Sequence, residues 1–229
     1  MAFAPARRQL LDQTMHDRGL DGAGSRALVV GGGYSPIAAD LRDRGFDVTA
    51  VDPSPAATEI ARADTPGVTF RTAPPTALGV DSTSFDLVYA ADTLEITDDL
   101  DTVLAQLSDA ARPGSTVVLD TVTDTVIAKL VYLIAFPRLP FTRIMPADRY
   151  VSSRLRNPRD LKRACRRAGM NVDSIIGFEP ASLASLVRAV LGRRAGRITD
   201  DDLPGVAGFH LGERDHAPVV TYFAIATAS

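Results

Sequence analysis

A parallel sheet with helices on both faces is the fold class this sequence predicts, and three observations predict it. Strand-like and helix-like apolar runs alternate from Arg26 to Asp120, the pattern of successive βαβ units. The strand-like runs are short, rich in Val and bounded by Gly, Pro or Asp, as strands buried on both faces are. The unit Arg26–Pro53, RALVVGGGYSPIAADLRDRGFDVTAVDP, reads strand, glycine turn, helix, strand, acid.

The elements can be justified in order. Residues 5–18 form an amphipathic helix pattern with Leu10, Leu11, Thr14 and Met15 on one face, and Asp21–Ser25 is a loop. Ala27–Val30 is too short for a helix and β-branched enough for a buried strand. Gly31, Gly32 and Gly33 allow a sharp turn and a close backbone approach to a ligand. Ile37, Ala38 and Leu41 keep helical spacing until Gly45. Val48–Val51 is a second strand, closed by Asp52. A carboxylate there, about 20 residues beyond the first glycine, can accept both hydroxyls of a ribose. An ordinary βαβ unit, whose glycines only make the turn, is the plainer alternative. Pro36 breaks the G-x-G-x-x-G run of a dinucleotide fold, and no triphosphate loop is present.

Ser54 caps a helix through Ala63, and Val68–Arg71 is the third strand. Ser84–Tyr89 opens the fourth, Leu100–Ala111 is a helix, and Thr116–Asp120 is the fifth strand. The stretch 121–157 exceeds a simple crossover: an apolar helix, then a basic run. Asn157-Pro158 starts a helix ending at Gly169, Val172–Phe178 is strand six, and Ala181–Leu191 is an extra helix. A polar loop through Asp200 to Gly205 leads to a last strand, Val219–Ala226.

The formal net charge of −3 hides an asymmetry. Residues 1–137 carry 10 Lys and Arg against 19 Asp and Glu, and residues 138–229 carry 15 against 9. Ten of those basic residues lie between Arg138 and Arg167, with Asp148 and Asp160 as the only acids there. A solvated face, an anionic acceptor and a membrane surface all fit this. Nucleic acid fits least, because few aromatics are interleaved and the pI is about 5.6. At 229 residues and 45% apolar content the chain suits one ordered domain, 1–229. Cys165, the sole cysteine, excludes an intramolecular disulfide and a cysteine-rich zinc site. Polar residues 1–19 do not read as a signal peptide, and the apolar run 126–136 is too short to span a bilayer. A cytoplasmic protein is expected.

The chain resembles class I S-adenosylmethionine-dependent methyltransferases. Gly31 and Gly33 match the first two glycines of their acid-x-G-x-G-x-G turn, and Asp52 matches the ribose acid. Ser84–Tyr89 resembles the FDLV start of the fourth strand, and Arg112-Pro113-Gly114 the KPGG turn. Val29 stands where the family has an acid, and Ser35 replaces the third glycine. The resemblance implies S-adenosylmethionine as cofactor, bound through Gly31, Gly32, Gly33, Asp52, Pro53, Thr72, Ala73 and Ala91. It implies a Rossmann-like, seven-stranded α/β sheet, six strands parallel and the last antiparallel, with helices on both faces. The helix in 1–25 would cap the cofactor, making His16 a candidate beside its reading as a surface histidine. The insertion 121–157 would be a lid.

Ala90–Ile96 resembles the segment that, in the ubiquinone-pathway O-methyltransferase branch, carries two acids and a histidine. Asp92 and Glu95 fit the acids and are the catalytic candidates; Ile96 replaces the histidine, so no metal is assigned. A helix-terminal acid cluster with Asp98, Asp99 and Asp101 is the alternative. The implied reaction is O-methylation of a hydroxylated aromatic, quinone-like or polyketide-like secondary metabolite. Non-methylating chemistry on the same fold and a non-catalytic binding protein are the rivals. The expected partner is a small-molecule acceptor and not nucleic acid; a peripheral membrane contact and a homodimer stay open.

Overall fold

Strands and helices alternate through the first half because each βαβ unit carries the two apolar periodicities the sequence shows. The computed structural model describes residues 4–31, 36–135, 150–199 and 202–229. The strands are β1 (Arg26–Val30), β2 (Asp47–Asp52), β3 (Val68–Thr72), β4 (Phe85–Ala90), β5 (Ala111–Val122), β6 (Met170–Glu179), β7 (His210–Arg214) and β8 (Thr221–Ala228). They form one sheet in the order β3-β2-β1-β4-β5-β8-β6-β7. β1 to β5 pair in parallel. β8 inserts antiparallel between β5 and β6, and β7 pairs antiparallel on the outer edge of β6.

The sheet thus has eight strands, not the expected seven. β7 reads His-Leu-Gly-Glu-Arg, with no alternation of apolar residues. Its backbone pairing with β6, Phe178 opposite Leu211 and Ile176 opposite Arg214, makes it a strand. No local pattern signals that.

The helices are α1 (Ala4–Arg18), α2 (Pro36–Asp43), α3 (Pro55–Asp64), α4 (Leu100–Ala110), α5 (Val126–Lys129), α6 (Pro158–Arg167), α7 (Leu183–Arg194) and α8 (Leu203–Ala207). α5 continues as a π-helical turn, Leu130–Ala135. The expected caps are in place. The Ser54 hydroxyl accepts from the Ala57 N–H at 3.2 Å, and Asn157 Oδ1 accepts from the Arg159 N–H at 2.9 Å. α8 lies where a polar loop was expected.

β1 shows why the strand runs are continuously apolar. Ala27 and Val29 pack on one face with Leu10 and Leu11 of α1 and Ile37 and Leu41 of α2. Leu28 and Val30 pack on the other with Leu104 and Leu107 of α4 and Leu161 of α6. A third cluster beyond β5 joins Val122, Val131, Tyr132 and Tyr150 to Leu186, Val190 and Leu203. The insertion after β5 therefore packs on the helices that follow β6.

The basic residues 138–149 lie outside the described residues. Beyond them the run is paired with acids: Arg154 with Asp98 at 2.7 Å, Arg167 with Asp101 at 2.7 Å, and Lys162 with Asp215 at 3.7 Å. Among the described residues no helix is long and apolar enough to cross a membrane.

Leu28→Ala should lower stability by about 2–5 kcal/mol, since it empties space between two helices and the sheet. Ile60→Ala, at an exposed position of α3, should change it by less than about 0.5 kcal/mol. Urea unfolding followed by circular dichroism checks both; equal losses would show that Leu28 does not sit in a packed core.

Candidate functional site

The carboxyl ends of β1 to β5 form one edge of the parallel part of the sheet, and in open α/β sheets ligands bind at that edge. Gly31 is the first residue past β1, at φ +79°. A Cβ on it would lie 2.2 Å from the Ala91 carbonyl oxygen and 2.2 Å from Thr93 Oγ1. The Thr93 hydroxyl lies 3.0 Å from the Val30 carbonyl oxygen and 2.8 Å from that of Ala91. Gly31 is therefore needed for the β1 turn to pack on the loop after β4. Gly32 and Gly33, with Tyr34 and Ser35, lie outside the described residues.

Asp52 closes β2, opposite Thr72 of β3. Its Oδ1 accepts from the Ser54 N–H at 2.8 Å, and its carbonyl accepts from the Ala73 N–H at 3.1 Å. Asp52 is half-buried, and Pro53 and Thr72 are exposed. Ala91 is buried and donates its N–H to the Val30 carbonyl at 2.8 Å. The fold thus gathers Gly31, Asp52, Pro53, Thr72, Ala73 and Ala91 along one edge, from segments far apart in the chain.

A buried charge cluster stands at the ends of β4 and β5. Arg7 of α1 is only 4% exposed. Its Nε donates to Asp120 Oδ2 at 2.9 Å, and its Nη2 lies 2.9 Å from both Asp92 Oδ1 and Asp120 Oδ2. Tyr89 donates its hydroxyl to Asp120 Oδ2 at 3.2 Å, and the Asp92 N–H donates to Asp120 Oδ1 at 2.7 Å. Asp92 has φ +47°, a left-handed conformation uncommon outside glycine. Among the described residues no group of three or more His, Cys, Asp or Glu could hold a metal ion. The cation shared by Asp92 and Asp120 is a guanidinium.

Glu95 is 2% exposed, and its Oε2 has no hydrogen-bond partner among the described residues. It lines a cavity of about 40 Å³ with Arg7, Asp92, Asp120, Thr121, Tyr132, Tyr150 and Tyr222 among its walls. The Thr121 hydroxyl in the same wall is likewise without a partner among the described residues. Burial first, then the nearby Asp92 and Asp120 charges, raises the Glu95 pKa well above the carboxylate range. Burial also pushes Asp120 up to about 6, against the pull of Arg7.

The structure brings Asp92 and Glu95 together, as the sequence suggested, but not as a helix-terminal cluster with Asp98 and Asp101. His16 is exposed on α1 and does not line the cavity. Arg7, Tyr89 and Asp120 were not anticipated. A signal existed for two of them: Arg7 lies three and four residues before Leu10 and Leu11, on the buried face, and Asp120 ends an apolar strand as Asp52 does.

Comparison with known proteins agrees with this architecture. The sequence profile of a methyltransferase domain family matches residues 4–175. The chain covers 94% of its own length and 96% of an S-adenosylmethionine-dependent methyltransferase from Mesorhizobium loti, at TM-score 0.62 and 20% identity. The cyclase SpnF aligns over 100% of this chain and 83% of its own, at TM-score 0.62 and 18% identity. Phosphoethanolamine N-methyltransferase 2 of Haemonchus contortus, solved with S-adenosyl-L-methionine, aligns over 96% of this chain and 52% of its own, at TM-score 0.58 and 17% identity. No curated protein sequence matches the chain. The chain belongs to the methyltransferase domain family and is a class I S-adenosylmethionine-dependent methyltransferase, with S-adenosylmethionine as its cofactor.

The buried carboxyls make stability depend on pH. Each titrates higher in the folded than in the unfolded chain, so the folded state binds more protons and stability falls as pH rises through the interval between the two values. For Asp120 that interval runs from 3.8 to about 6. Glu95→Gln removes one such group. Its melting temperature should exceed the wild type's at alkaline pH, and the gap should narrow as pH falls and Glu95 becomes protonated in both states. Thermal unfolding across a pH series checks this; a gap independent of pH would show that Glu95 is not held protonated by its surroundings.

Proposed function

We propose that this enzyme moves the methyl group of S-adenosylmethionine to a hydroxyl of a small aromatic, quinone-like or polyketide-like acceptor, and that Glu95 takes the hydroxyl proton. The observation that carries this is the buried Glu95 Oε2, unpaired among the described residues, in a cavity beside the cofactor edge. One loop serves both places: Ala91 and Thr93 meet Val30 and Gly31, and Glu95 lines the cavity.

On this reading Asp52 accepts the ribose hydroxyls, and Gly31, Gly32 and Gly33 are assigned to the methionine part. Pro53, Thr72, Ala73 and Ala91 surround the nucleoside. The donor set suits that role, since a half-exposed carboxylate stands beside exposed Thr72 on one strand edge. The bound cofactor supplies an electrophilic methyl on a sulfonium. In-line transfer then needs an aligned oxygen and an acceptor for its proton. Asp120 is poorly suited, because both its oxygens already accept from Arg7, Tyr89 or Asp92. Glu95 Oε2 accepts from no donor among the described residues, so once ionised it is free to take a proton.

A cavity of about 40 Å³ has room for a reacting hydroxyl but is well below the roughly 150 Å³ of a cavity that admits a benzene ring. Tyr132 and Tyr150 would have to yield. Both belong to 121–157, which supports reading that insertion as a lid on a single domain, 1–229, capped by 1–25. The outer face of α5 and the turn after it, with Val126 84% and Leu130 55% exposed, supports peripheral membrane contact by the same segment. A second reading has one observation in its favour. Val29 is buried in the cluster with α1 where the family has an acid, which suits a protein that binds the cofactor for other chemistry.

Asp52→Ala should weaken S-adenosylhomocysteine roughly ten- to a hundred-fold by calorimetry, from the loss of charge-assisted hydrogen bonds. An unchanged dissociation constant would remove Asp52 from the site. Glu95→Gln should lower methyl transfer by about 10²–10⁴-fold with S-adenosylhomocysteine affinity intact. Mass spectrometry of a hydroxy-aromatic acceptor panel would show it, and wild-type rates should climb with pH as Glu95 ionises. Full activity of the Gln variant would sink the role of Glu95 as base.

A further inference from the structure

Glu95 lies in the loop between β4 and α4, and its carboxyl is held in a cavity where Oε2 has no hydrogen-bond partner among the described residues. A turn closed by the Ile96 N–H on the Thr93 carbonyl at 3.3 Å spans Glu95, and contacts from outside the loop fix that turn in place. The loop's first half is tied by Asp92 to β5 and by Thr93 to β1. Its second half is held by Arg156. Nε and Nη2 of Arg156 donate to the Leu94 carbonyl at 3.2 and 3.0 Å, and Nη2 also donates to the Thr97 carbonyl at 2.8 Å. These carbonyls flank Glu95 on both sides. Arg156 is itself anchored: its N–H donates to the Val122 carbonyl at 2.8 Å, and its carbonyl accepts from the Tyr222 hydroxyl at 2.9 Å. A planar guanidinium can span two carbonyls at once, whereas an ammonium is a single point of charge.

We propose that Arg156 is a positioning residue, whose grip on the Leu94 and Thr97 carbonyls keeps the Glu95 carboxyl inside the cavity. The inference rests on Glu95 acting as the proton acceptor. Arg154, two residues earlier, is the natural control: it pairs with exposed Asp98 at 2.8 and 2.7 Å, beside the loop but on the surface.

Two effects of removing Arg156 have opposite signs. The charged and titratable groups around Glu95 are Asp92 in its own loop, Arg7 of α1, Tyr89 of β4, Asp120 of β5, Tyr132 and Tyr150 of the insertion, Tyr222 of β8, and Arg156. Loss of the Arg156 charge alone would make Glu95 harder to ionise. Loss of the grip would let the loop open and water reach the carboxyl, making it easier to ionise.

The chain has four glutamates, Glu59, Glu95, Glu179 and Glu213, so carbon-13 glutamate labelling gives few carboxyl signals, and Glu95→Gln assigns the one needed. In the wild type the Glu95 signal should titrate above the other three. In Arg156→Lys and Arg156→Gln its midpoint should fall by about one unit or more, and Arg154→Gln should leave it in place. A midpoint that stays or rises in both Arg156 variants overturns the proposal. Tyr222→Phe loosens the anchor of the Arg156 carbonyl and also takes a hydroxyl from the cavity wall. Loss of that polar group alone would raise the Glu95 midpoint, so a smaller fall still reports the grip and carries the test should neither Arg156 variant fold. A midpoint that stays or rises there would equally overturn the proposal. The titration reads the carboxyl and not turnover, so it fails independently of the methyl-transfer assay. S-adenosylhomocysteine binding to the same samples reports on the cofactor edge separately.

Discussion

The Arg7 guanidinium, shared between Asp120 and Asp92, is the contact on which the rest of the site depends. It joins the first helix to the ends of two central strands, across 113 residues of chain. Taking one partner from a buried ion pair typically costs about 3–5 kcal/mol, because the other charge is left without compensation. Arg7, Tyr89 and the Asp92 N–H all converge on Asp120. α1 is therefore held at the sheet edge by charge as well as by Leu10 and Leu11, and the loop carrying Glu95 starts from a fixed point.

Topology supplies the other wall. β8 enters the sheet between β5 and β6, which sets Tyr222 opposite Thr121 and Phe223 opposite Asp120. An acid at the end of β5 is thereby flanked by aromatic residues from the end of the chain. The insertion after β5 adds Tyr132 and Tyr150, whose rings meet edge to face at 4.8 Å. A polar pole and an aromatic wall thus come from five separate segments. Their meeting follows from strand order, with Arg156 tying the last of the insertion to the loop after β4.

Folding pairs part of the basic run with distant acids. Acids at the start of α4 and arginines beyond the insertion, distant in sequence, pair at the surface. Exposed pairs of this kind contribute little to stability. Their effect is to leave this part of the basic run partly neutralised, so its net charge overstates its attraction for an anionic partner.

The sequence by itself determined the features that local physics controls. Strand and helix periods placed β1 to β6 and β8, the Ser54 and Asn157 caps set helix starts, and Gly31 and Asp52 marked the strand edge. It also offered Asp92 and Glu95 as a pair. Only the tertiary structure decided that Glu95 is buried with an unpaired oxygen, that Arg7 is the cation among the carboxylates, and that Arg156 holds the loop. It also decided that His-Leu-Gly-Glu-Arg is a strand, through its pairing with β6. The reason is common to all four. Desolvation, long-range charge pairing and edge-strand hydrogen bonds belong to groups brought together by the sheet order, and no window of neighbouring residues contains both partners.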